Sequence, residues 1–93
     1  MLKIDDFVFT KNPDVFKEDT MKGRIYMAGS LPTSEEYRQL MKTVKSRALL
    51  RLFDSNRERQ MLVASSRLYE HAVWGFRYEL VLLEHKPLDL SRT

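Results

Sequence analysis

The chain has no cysteine. Disulfides, thiolate catalysis and cysteine-ligated zinc are excluded with it, and a small secreted domain would ordinarily need such staples. Glycine occurs only at positions 23, 29 and 75, too scattered to build a phosphate-cradling loop. The only histidines, His71 and His85, lack the HxxxH spacing of a metal site and have no carboxylate pattern to complete one. The carboxylate pairs Asp5-Asp6 and Glu35-Glu36 are adjacent in sequence, so their side chains diverge on a helix or a strand and form no dyad. Ser65 and Ser66 stand outside any G-x-S-x-G turn. No catalytic residue, cofactor or metal is therefore expected, and the chain reads as a non-enzyme.

Long apolar runs are missing as well. The most apolar window, 72–83, contains Arg77 and Glu79, whereas a membrane span needs about 20 apolar residues. Met1-Leu2-Lys3 runs into Ile4-Asp5-Asp6 and not into the apolar stretch of a signal peptide. These features, with the lack of cysteine, predict an intracellular, cytoplasmic protein, with an organelle matrix as the alternative.

What is present is a globular composition: 43% of the 93 residues are hydrophobic, enough for one domain with a thin core. A thin core often gains stability from a partner. The net charge of +3 is unevenly spread, because residues 24–67 hold nine of the sixteen lysines and arginines against four of the thirteen carboxylates. Any polyanion should meet the middle of the chain.

The local signals predict a mainly α fold. Phe7-Val8-Phe9-Thr10 reads as an extended arm, and Asn12-Pro13 as the start of a short helix running from Pro13 to about Lys22 and stopped at Gly23. Thr33-Ser34-Glu35-Glu36 is a capping box, followed by Tyr37, Leu40, Met41, Val44, Ala48, Leu49 and Leu52 at helical spacing. Ser55 and Glu58 suggest a second box, followed by Met61, Leu62, Ser65, Leu68, Tyr69, Ala72, Val73, Phe76, Leu80 and Leu83. The expected architecture is an antiparallel helical hairpin at 33–86, its helices at about 34–53 and 56–85, crossed by residues 1–32 and ending in a tail at 87–93. The alternative is an α+β fold, because residues 76–83 also alternate and could pair in a small sheet with the N-terminal arm or with 25–28.

Two functional readings follow. The first is a protein-interaction module, a small subunit of an assembly or a regulator that masks a partner. Its contacts would be the aromatics Trp74 and Tyr78, with Arg67 and Arg77 as rim charges, since aromatics beside arginines are typical of interfaces. The alternative is DNA or RNA binding, in which Arg38, Lys42, Lys45, Arg47, Arg51, Arg57 and Arg59 line a helix and its end and neutralise phosphates. Self-association through the long helix, giving a homo-oligomer, is compatible with either.

Overall fold

The computed structural model describes residues 1–55 and 57–85. It contains one helix and seven strands. The strands are β1 (Leu2–Ile4), β2 (Phe7–Val8), β3 (Val15–Asp19), β4 (Arg24–Leu31), β5 (Leu49–Asp54), β6 (Arg57–His71) and β7 (Gly75–Glu84), and the helix α1 (Ser34–Ser46) lies between β4 and β5. All pair antiparallel in one curled sheet, a half-barrel, of order β2-β1-β5-β6-β7-β4-β3. β6 and β7 form the spine. The molecule measures 54 × 24 × 23 Å, and fifteen residues of strand at about 3.3 Å each give β6 nearly that length.

Alternation sets the two sides of the sheet. Tyr78, Leu80 and Leu82 of β7 point inward with Ile25 and Met27 of β4, Leu50 and Leu52 of β5, and Met61 of β6, all fully buried. Ile4, Phe7 and Phe9 close the core at the other end, Phe9 lying 5.4 Å from the Tyr78 ring. α1 covers the inner side with Leu40 and Val44, while its Tyr37 stacks at 5.0 Å on Phe76. In β6 the inward phase changes once. Val63 lies opposite Leu82 and Ser65 opposite Val81, so Ala64 is an unmatched bulge residue. Met61 and Val63 face inward before it, and Leu68 after it.

This architecture overturns the helical hairpin. The first helix does start at the capping box, where Thr33 Oγ1 accepts from the Glu36 backbone N–H at 3.2 Å and donates to Glu36 Oε2 at 3.1 Å. It ends at Ser46, not near 53, because Arg47 is already extended and Leu50 and Leu52 then bury at strand spacing. The predicted helix at 56–85 is the β6–β7 hairpin. The bulge explains the misleading pattern: a one-residue phase change in an alternating strand leaves apolar residues three and four apart, as a helix would. The predicted short helix from Pro13 is strand β3, paired with β4 from Val15 opposite Ala28 to Asp19 opposite Arg24. The α+β alternative allows 76–83 to pair with 25–28, as β7 and β4 do, but its small sheet falls short of a seven-stranded one that enlists most of the described chain. The expected tail at 87–93 lies outside the described residues.

Candidate partner-binding face

The β6–β7 hairpin continues past β5, whose ladder with β6 stops at Leu49 opposite Leu62. Its turn, residues 72–74, closes on Gly75 at φ +73°, a conformation open to glycine without strain. His71 fixes that turn: its Nδ1 accepts the backbone N–H of Val73 at 3.0 Å and of Trp74 at 3.1 Å. The turn thus holds Val73 and Trp74 in water, 76% and 66% exposed. Nothing in the pattern of the sequence singled out His71, which reads there as an ordinary solvated residue.

Below the turn, the outward side of the hairpin carries a chain of polar and aromatic contacts. The Arg67 guanidinium lies over the Tyr69 ring at 4.4 Å, and Arg67 Nη1 lies 3.7 Å from Glu79 Oε2. Tyr69 Oη donates to that same oxygen at 3.3 Å. Arg77 donates to Asp14 Oδ2 at 3.2 Å, tying the segment before β3 to the hairpin. Asp14, Tyr69, His71, Trp74 and Arg77 together line an open depression. Three of the four expected contact residues, Arg67, Trp74 and Arg77, therefore lie on this hairpin surface. Tyr78 does not. It points inward and is completely buried, so its assignment as a contact is corrected: it is a core residue.

The predicted basic row is dispersed because there is no long helix to carry it. Arg38, Lys42 and Lys45 share one exposed stretch of α1 around a shallow groove with Met41 and Ser46. Arg47 donates to Asp5 Oδ2 from Nε at 3.1 Å and from Nη2 at 2.9 Å. Arg51 projects from the outer side of β5 within 3.7 Å of Glu58, and Arg57 is exposed at the start of β6. Arg59 is the clearest departure. Its guanidinium is buried on the inner side of β6, with Nη1 donating to Glu18 Oε2 at 2.6 Å and Nη2 3.6 Å from Asp54 Oδ2. A cation so placed cannot reach a phosphate backbone.

Among the described residues, no group of three or more histidine, aspartate or glutamate side chains could hold a metal ion, and no helix is long and apolar enough to cross a membrane. No protein-family model matches the chain, and neither a curated protein nor a solved structure matches it.

Proposed function

We propose that the chain is a non-enzymatic protein-interaction module that engages its partner through the end and outward side of the β6–β7 hairpin, with Trp74 as the anchor. The observation that carries this reading is the exposure of Val73 and Trp74 on a turn already fixed by His71. A large aromatic held in place in the free state loses little conformational entropy on binding, and tryptophan and arginine dominate the energetics of interfaces. Arg77 lines the same depression as the anchor and Arg67 lies four rungs further down the hairpin, each beside a carboxylate. Dispersal of the basic residues leaves only Arg38, Lys42 and Lys45 along one track, which weakens the support for nucleic-acid binding, since that needs several cations along one track.

Trp74→Ala separates this role from a structural one. The variant should keep its β-sheet circular dichroism and unfold within about 0.5 kcal/mol of the parent, as an exposed surface substitution does. The same substitution in a tagged chain should abolish recovery of its binding partner. Undiminished recovery would remove Trp74 from the interface and the reading with it.

A further inference from the structure

Among the described residues the sheet has free edges at β2, at β3 and along part of β6, and they are not alike. β2 is only two residues long, and β3 carries Lys17, Glu18 and Asp19, so both of these edges have the shortness or charge that discourages strand addition. The third edge is hidden in the strand order. β5 pairs with β6 only as far as Leu62, and the Val63 N–H donates to the Ala48 carbonyl at 3.3 Å. From Ala64 to His71, no strand among the described residues lies on that side of β6. The Leu68 carbonyl points to this side, where it already accepts from Tyr37 Oη at 3.2 Å, so a strand added here would use its second lone pair. By antiparallel alternation the peptide groups of Ser66 and Glu70 face the same way. Ala64 through Arg67 are exposed, and the stretch contains no lysine or proline.

We propose that this edge pairs antiparallel with the same edge of a second copy, joining two half-barrels into one continuous sheet. The inference rests on the reading of the hairpin as a binding element and names its partner. Two observations single out a second copy. The sequence is self-complementary about Leu68: with Leu68 facing Leu68, Arg67 meets Tyr69 of the other copy, Ser66 meets Glu70, and Ser65 meets His71, so no like charges face each other. The Arg67–Tyr69 contact repeats a pairing already made within the chain at 4.4 Å. The 72–74 turn of each copy would then stop against the Ala48–Leu49 start of β5 in the other, beside the outward Leu62. Apolar groups exposed in one copy, Trp74, Val73 and Leu62, would cover one another.

Sedimentation equilibrium of the purified chain tests the pairing. The parent should show twice the 11.1 kDa chain mass in the micromolar range and dissociate on dilution. Ser66→Pro removes an N–H that faces the open edge, where no strand lies among the described residues, and proline is tolerated on edge strands. This variant should stay at the single-chain mass over the same range with unchanged β-sheet circular dichroism. Tyr69→Lys is the second probe, should Ser66→Pro fail to fold. It sets a lysine against Arg67 of the other copy at two places and should weaken association by at least about tenfold, with much of that loss recovered in high salt. A parent that is monomeric throughout, or folded variants that associate as the parent does, would overturn the pairing. Neither result touches the hairpin as a binding element, which stands or falls on recovery of a partner by the tagged Trp74→Ala chain.

Discussion

Glu18→Ala is expected to lower the unfolding free energy by about 3 kcal/mol, because it strips the strongest contact from a buried guanidinium. Glu18 on β3 and Arg59 on β6 face each other across the inside of the curl, with β4 and β7 between them in the strand order. The Arg59 side chain is only 5% exposed, and its Nε and Nη2 have no hydrogen-bond partner. Asp54, with Oδ2 at 3.6 Å, cannot replace the 2.6 Å contact to Glu18. For a domain of this length the loss corresponds to a fall in melting temperature on the order of 15 °C. The double variant Glu18→Ala/Arg59→Met should recover much of it, since it removes the stranded charge together with its lost partner. Urea unfolding of the single and double variants measures both. If Glu18→Ala loses no more than Lys17→Ala on the outward side of the same strand, the link across the curl contributes nothing to stability.

Gly29→Ala should cost about 2–3 kcal/mol by overpacking. A Cβ at position 29 would lie 2.9 Å from Tyr78 Oη and 3.2 Å from both the Asp14 nitrogen and the Pro13 Cα. The two backbone atoms belong to the segment that Asp14 fastens to Arg77, so it has little freedom to retreat. Tyr78→Phe acts on the third contact. The Tyr78 hydroxyl is buried without a hydrogen-bond partner, so removing it should be neutral or stabilising by up to about 1 kcal/mol. In the Gly29→Ala background the same change should recover part of the loss. Thermal unfolding of the three variants decides the matter, and equal stability of Gly29→Ala and the parent would show the site to be loose.

The same hydroxyl gives an alkaline signature. Burial pushes its pKa well above the usual phenol range, nearby Asp14 adds to the shift, and Arg77 opposes it. Below about pH 10 the phenol is neutral both folded and unfolded, so Tyr78 contributes no slope there. Above that pH the unfolded chain releases the proton first, and stability falls as pH rises. Melting temperatures taken across about pH 9 to 11 should therefore decline less steeply for Tyr78→Phe than for the parent.

How much of this was legible depends on which residues carried an unambiguous local code. Thr33 and Glu36 did, because reciprocal capping is satisfied within four residues and needs no tertiary context. Leu50 was the warning that went unread. It falls off the helical stripe drawn through Leu49 and Leu52, yet it is buried, as the inward phase of a strand requires. The region 57–71 was opaque because Ala64 shifts the alternation, and no residue type marks a bulge on its own. Trp74 was visible as an aromatic close to arginines, whereas the inward position of Tyr78 follows only once residues 75–84 are a strand. The cations were all visible. Their grouping was not, because it rested on a helix that stops at Ser46.

The strand order gives β6 and β7 a mechanical role. In the strand order they lie between the β2-β1-β5 side of the sheet and the β4-β3 side, and the same two strands run out to the turn that holds Trp74. A load applied at the tip is carried along the hairpin ladder to the Tyr78 and Leu80 rungs without crossing a loop. Whatever grips the end of this arm therefore pulls on the keystone of the fold, and stiffening the arm stiffens both wings at once.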